Sequence, residues 1–92
     1  GESLSGAIFI HANFSGADIN GATFRDAYLN MTDFSNTILT FTEFVYASLF
    51  GADFTGAKGL ESADFEKADT HSATFPDGYH PIKTPKAYTT GI

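Results

Sequence analysis

Large apolar side chains fall at Leu4, Phe9, Phe14, Ile19, Phe24, Leu29, Phe34, Leu39, Phe44, Leu49 and Phe54, an unbroken spacing of five. Two residues before each, from the second onward, stands a small residue: Ala7, Ala12, Ala17, Ala22, Ala27, Thr32, Thr37, Thr42, Ala47 and Ala52. Neither standard element keeps such a set on one side. On a helix a step of five turns the side chain by roughly 140°, and on a flat strand an odd step flips it to the other face. The set stays together only if the chain turns a corner within every repeat, so that each short extended segment points its small and its large residue inward.

Four segments with right-angled corners close such a path. Each coil then uses about twenty residues and stacks on the next at the inter-strand spacing of roughly 4.8 Å. Leu4, Phe24 and Phe44 fall on one wall, Phe9, Leu29 and Leu49 on the next, and Phe14, Phe34 and Phe54 on a third as a ladder of rings. The expected core is Phe9, Phe14, Phe24, Phe34, Phe44, Phe54, Phe65 and Phe75. A narrow core of this kind suits a chain of 92 residues, which is near the size where burial only just outweighs chain entropy.

The run "ANFSG ADING ATFRD AYLNM" resembles the pentapeptide repeat proteins, whose unit is Ala, then Asp or Asn, then Leu or Phe, then two polar residues. The resemblance implies an all-β fold, a right-handed quadrilateral parallel β-helix of about four coils, over residues 1–76, with a non-repeat tail or cap at 77–92. It also implies a source among cyanobacteria, chloroplasts or other bacteria. The compartment stays open among cytoplasm, periplasm and thylakoid lumen, and the tail "FPDGYHP" is similar to the ending of bacterial members.

The pattern is broken twice. The step from Ala57 to Ala63 is six residues, and Thr70 stands where a large apolar residue belongs. Gly59 is the residue best able to absorb the extra length as a bulge or widened corner, with Leu60 then facing inward. A functional reading would have this bulge expose Lys58 and Glu61 to a partner. Beyond Phe75 the period is lost. A stacked core leaves its last coil open, so Tyr79, Ile82, Tyr88 and Ile92 are expected to form a lid, entered by a turn at Asp77-Gly78. No comparable segment precedes Leu4, so the first coil is expected to be covered by further repeats or by another molecule.

Little chemistry is written on the outward positions. The chain has no cysteine, and His11, His71 and His80 have no zinc-ligand spacing, so neither a metal nor any other cofactor is expected. Flat walls offer no cleft that would exclude water from a nucleophile and its base, so catalytic residues are not expected either. Asp18, Asp33, Asp53, Asp64 and Asp69 occupy the slot before the large core residue, where corner hydrogen bonding accounts for them. A net charge of −6 disfavours direct binding to nucleic acid or to an anionic membrane. Residues 1–57 carry six acids against Arg25 alone, with Asn13, Asp33 and Asp53 aligned on one wall. Some members of the resembling family are acidic rods that mimic DNA and bind type II topoisomerases, which supplies an alternative function.

The remaining outward feature is apolar. Ile8, Ile10, Tyr28, Met31 and Phe50 belong on or beside the second wall, and Ile38, Phe41, Val45 and Tyr46 across later corners. Of these, Ile8, Ile10, Tyr28, Met31, Phe41, Tyr46 and Phe50 form the candidate interaction surface, for a protein partner or for self-association. The sequence thus reads as a non-catalytic structural or protein-binding module.

Overall fold

A computed structural model describes residues 1–84; Tyr88 and Ile92, expected in the lid, lie outside the described residues. The logic of the fold is visible in the five amides of Asp33–Thr37. Asp33 N–H donates to the Ala12 carbonyl of the preceding coil (2.9 Å), and Phe34 and Asn36 donate to Asp53 (2.7 Å) and Thr55 (2.9 Å) of the following one. Thr37 N–H closes the corner on the Phe34 carbonyl at 3.4 Å. That leaves the amide of the first corner residue, Ser35, and the Asp33 carboxylate accepts it at 2.8 Å. Every backbone amide of this repeat is therefore used, as a chain with so little interior requires.

The same bookkeeping explains the acidic slot. Asn13, Asp18, Asp53, Asp64 and Asp69 each accept the amide two residues on, from Ser15, Asn20, Thr55, Glu66 and His71. An aspartate or asparagine before the core residue is thus a corner cap. Each corner also places its second residue in the left-handed region. Eight of these are not glycine, among them Met31 (φ 59°), Phe41 (57°) and Tyr46 (58°). With the bond that closes the corner, this is the geometry of a type II turn.

Parallel bridges connect Ser3 to Thr23, Ile8 to Tyr28, Asn13 to Asp33 and Asp18 to Ile38, and continue upward at a step of twenty as far as Ile38 to Lys58. Pairing then runs Glu43 to Asp64, Ser48 to Asp69 and Asp53 to Thr74, a step of twenty-one. Each five-residue unit supplies one short wall segment, so the pairing consists of isolated bridges. The core centres lie on the wall of the bridge residue they follow. Phe24, Phe44 and Phe65 stack on the first wall at 5.4 and 5.0 Å, and Phe14, Phe34, Phe54 and Phe75 stack on the third at 5.4, 5.1 and 4.9 Å. From Phe24 to Phe75 the two columns meet edge-on across the interior, at centroid distances of 5.5–5.9 Å. Stacking along each column and edge-to-face contact between columns are both favoured by the ring quadrupole.

Phe24, Phe34, Phe44, Phe54 and Phe65 are fully buried, while Phe9, Phe14 and Phe75, toward the two ends, are half-buried against the core. The small slot accepts threonine because each hydroxyl finds a carbonyl: Thr32 donates to Phe9 (2.8 Å), Thr37 to Phe34 (2.6 Å) and Thr42 to Ile19 (2.9 Å). Val45, expected to point outward, is buried at 2% exposure. Its corner is in register with those of Arg25 and Glu66, and a short branched side chain between two longer ones keeps little surface.

The six-residue step is absorbed by a single 3-10 turn, Leu60–Ser62, entered through Gly59 at φ 81°. A Cβ at Gly59 would lie 2.6 Å from the Thr40 nitrogen and 2.9 Å from its Cα, so only glycine fits beneath the neighbouring coil. Leu60 faces inward at 4% exposure. Ser62 repairs the ladder that the extra residue interrupts: its hydroxyl accepts the Phe41 amide at 3.0 Å.

After Phe75 the chain turns through Asp77 and Gly78 (φ 82°), with Tyr79 N–H donating to Pro76 at 3.1 Å. Tyr79 lies over Phe75 and Phe65, at ring distances of 5.4 and 6.3 Å, and its hydroxyl donates to the Leu60 carbonyl at 3.2 Å. Ile82 is not part of a closed lid, being 66% exposed. It borders a hollow of about 230 Å³ with Leu60, Glu61, Ala63, Tyr79 and His80.

Candidate functional site

The outward apolar residues divide between two opposite sides. Ile8 and Tyr28 are bridge partners on the second wall. The corner that follows this wall carries Ile10, Asn30, Phe50 and His71 in one column, fixed by the bonds His11 N–H to Asn30, Met31 N–H to Phe50 and Gly51 N–H to His71. Met31 and Gly51 are neighbours in the adjoining column, where the Met31 sulfur occupies the space that a Gly51 side chain would need. Tyr46 sits at the corner that opens this wall, as Tyr46 N–H to Glu66 shows. Ile8, Ile10, Tyr28, Met31, Tyr46 and Phe50 therefore lie along one side. Phe41 does not join them: it occupies the corner after the fourth wall, which also holds Ile38 and Lys58.

These side chains remain open to solvent, with Ile8 at 70%, Tyr28 at 53% and Phe50 at 42% exposure. Polar contacts are interleaved among them. Asn30 donates from its side-chain amide to Ser48 at 2.9 Å across two coils, and His71 stacks on Phe50 at 5.5 Å and 25°. Sequence reading missed His71 as a member of this strip. The signal was a register of twenty-one after the extra residue, which places His71, not Thr70, over Phe50. Lys58 and Glu61 are both exposed beside the inserted turn.

Among the described residues no group of three His, Asp or Glu side chains is arranged to hold a metal ion. Two titratable groups are displaced from their ordinary values. The Ser35 hydroxyl and amide hold the Asp33 carboxyl below the usual carboxylate range. Burial, and secondarily the charge of Glu61, pushes the Tyr79 phenol up to about 12. Asp33 is thus kept ionised between Asn13 and Asp53 on the third wall, and Tyr79 is kept neutral as a hydrogen-bond donor.

The parallel coils, the corner turns and the inward pairs of small and large residues define a β-solenoid repeat protein. The chain matches the profile described as pentapeptide repeats in eight copies, over residues 1–26 and 19–56, more than half its length. It belongs to the pentapeptide repeat family. The match stops where the six-residue step begins. No curated protein matches the sequence. Among solved structures, the chain is similar to a pentapeptide repeat protein from the Arabidopsis thaliana thylakoid lumen, with 24% identity, TM-score 0.41, and coverage of 74% of this chain and 64% of that one. It thus spans less than two thirds of that protein's length. A pentapeptide repeat protein from Nostoc PCC 7120 gives 23% identity, TM-score 0.48 and coverage of 86% and 78%. HetL of Nostoc sp. strain PCC 7120, a pentapeptide repeat protein involved in heterocyst differentiation regulation, gives 22% identity, TM-score 0.41 and coverage of 84% and 42%. No helix among the described residues is long and apolar enough to cross a membrane.

Proposed function

We propose that this chain is a non-catalytic protein-binding module, built as a right-handed β-helix of about four coils, whose partner surface is the apolar strip of the second wall. The observation that carries the reading is the continuity of the strip: Ile8, Ile10, Tyr28, Met31, Tyr46 and Phe50 lie along one side of the solenoid and all remain open to solvent. A run of large apolar side chains over adjoining coils, interleaved with the polar Asn30, Ser48 and His71, suits a surface that is covered when a partner binds.

Phe50→Asp tests this. The side chain points outward, so the solenoid stays folded, while a carboxylate against apolar neighbours opposes docking. Pull-down from native lysate with wild type and variant should lose the same specific partners on mutation, with unchanged circular dichroism. Retention of every partner by the folded variant refutes the strip. A second reading, a DNA-mimicking topoisomerase-binding rod, is favoured by the aligned column of Asn13, Asp33 and Asp53. Its test is gyrase supercoiling with and without the protein, and an unchanged rate removes it.

A further inference from the structure

Two glycines in the chain follow a residue whose side-chain carbonyl carbon the glycine amide can attack to close a five-membered ring: Gly21 after Asn20, and Gly78 after Asp77. Both pairs occupy the centre of the same kind of turn. Asn20 and Gly21 lie between Ile19 and Ala22, where Ala22 N–H donates to the Ile19 carbonyl at 3.0 Å and Gly21 has φ 72°. Asp77 and Gly78 lie between Pro76 and Tyr79, where Tyr79 N–H donates to the Pro76 carbonyl at 3.1 Å and Gly78 has φ 82°. A closing bond over four residues with a left-handed third residue makes each a type II turn. Asn20 and Asp77 are both exposed.

The two turns differ in what holds the reacting nitrogen. Gly21 N–H donates to the Thr40 carbonyl of the next coil at 2.9 Å, and Asn20 N–H is held by the Asp18 carboxylate at 3.1 Å. Among the described residues neither the Asp77 nor the Gly78 amide has a partner, and no atom lies within 4 Å of the place a Gly78 Cβ would take. Ring closure requires the nitrogen to lose its proton and to swing toward the side chain. An N–H committed to the ladder does neither until the coil opens locally. The Gly78 nitrogen is free to do both.

We propose that Asp77–Gly78 is a site of spontaneous isoaspartate formation, modified in the folded chain ahead of the Asn20–Gly21 pair. The deprotonated Gly78 nitrogen bonds to the Asp77 Cγ, a Cγ–O bond breaks, and the oxygen leaves as water, which gives a cyclic succinimide. Water then adds back to one of the two ring carbonyls. Opening at Cγ restores aspartate, whereas opening at the backbone carbonyl carbon leaves the chain running through Cβ and Cγ, as isoaspartate. No reactant besides water is needed. The product carries one extra backbone methylene, so the turn no longer closes over four residues and the Tyr79 N–H to Pro76 bond is lost. At Asn20 the same attack would expel ammonia. In an unfolded chain the asparagine pair is the faster of the two, since an anionic nitrogen attacks a neutral amide more readily than an ionised carboxylate. The fold reverses that order by locking the Gly21 amide on Thr40.

Incubation of the full 92-residue chain at neutral pH and physiological temperature tests this, with peptide mapping by electron-transfer fragmentation, which distinguishes isoaspartate from aspartate, at both sites. In folded wild type, isoaspartate should accumulate at Asp77 faster than Asn20 deamidates, and in denaturant the order should reverse. Asp77→Asn makes the comparison exact in chemistry, because the same dipeptide then stands in the same turn at both places. In the folded variant the introduced asparagine should deamidate roughly tenfold or more faster than Asn20. The two rates should converge in denaturant. If Asn20 reacts as fast as Asp77 in folded wild type, or if both asparagines of the folded variant react at one rate, the proposal is refuted. A difference of the same size in denaturant would trace it to flanking residues and overturn the part given to the Thr40 bond. Should circular dichroism show that Asp77→Asn does not fold, the wild-type comparison, folded against denatured, decides the matter alone.

Discussion

Phe34→Ala is the substitution that most directly tests how the interior is held. Phe34 is fully buried and touches four rings: Phe14 and Phe54 in its own column at 5.4 and 5.1 Å, and Phe24 and Phe44 edge-on at 5.9 and 5.5 Å. Truncation loses the transfer free energy of the ring, about 2–3 kcal/mol, and the extra attraction of aromatic pairs, ~0.5 kcal/mol or more for each neighbour. The gap cannot close. Bonds of 2.7–2.8 Å tie Phe14 to Asp33 and Phe34 to Asp53, so the coils keep their spacing when the ring is removed. The sum is about 4–5 kcal/mol, at the upper end for Phe→Ala.

A domain of this size has roughly 5–14 kcal/mol of stability in all, and its melting temperature falls by about 4–8 °C per kcal/mol. Thermal unfolding followed by circular dichroism should therefore show a loss of roughly 15–40 °C, or no folded baseline. The matched control is Phe41→Ala, the same truncation at a side chain that is 68% exposed in the same solenoid. It should change stability by less than about 1 kcal/mol. If the two variants melt together, the inward and outward assignment of the period is wrong.

Gly59→Ala should destabilise by about 1–2 kcal/mol for the left-handed backbone and by a further ~1–3 kcal/mol for overlap with the Thr40 backbone; denaturation midpoints within error of wild type would refute the fit described. Deleting Gly59 restores the five-residue step and should keep the coils folded while displacing the Leu60 carbonyl, so the Tyr79 phenol should titrate closer to its ordinary value of 10.0; unfolding of the chain would refute this. In the wild type that phenol is raised, so its contribution to stability is fully present below pH 10 and is lost as pH rises through about 12. Denaturant midpoints from pH 9 to roughly 12 should fall more steeply for wild type than for Tyr79→Phe, and parallel curves would contradict the assignment.

Much of this architecture is legible in the sequence because the core is one-dimensional. A residue's slot, inward or outward, follows from its number modulo five and its wall and neighbours from steps of twenty, so the Phe34 column, the acidic corner caps and the inward turn of Leu60 can be read without coordinates. What escapes is whatever depends on contacts between columns or on corner dihedrals. Val45 occupies an outward slot by count and is buried because of the residues stacked on either side of it. His71 joins Phe50 only through the shifted register. Met31, Phe41 and Tyr46 read as ordinary outward residues, and nothing in their identity signals a left-handed backbone, which favours glycine.

The extra residue at the six-residue step connects the last of these points to function. In a regular coil the carbonyl of the core centre stands outside the ladder and accepts the amide that closes its corner, as Phe54 does from Ala57 at 3.0 Å. The 3-10 turn at Leu60–Ser62 keeps that bond, Ala63 N–H to Leu60 at 3.2 Å, and the Leu60 carbonyl accepts the Tyr79 phenol as well, at 3.2 Å, while the Phe41 amide is taken by the Ser62 hydroxyl. A one-residue irregularity thereby turns part of a wall into an anchor for the segment that follows the repeats. The core columns beyond it are preserved although the pairing step is now twenty-one, because Phe65 and Phe75 still stack on Phe44 and Phe54 at 5.0 and 4.9 Å. The irregularity is therefore absorbed within a single corner, and the units that follow it keep the two ring columns on which Tyr79 rests.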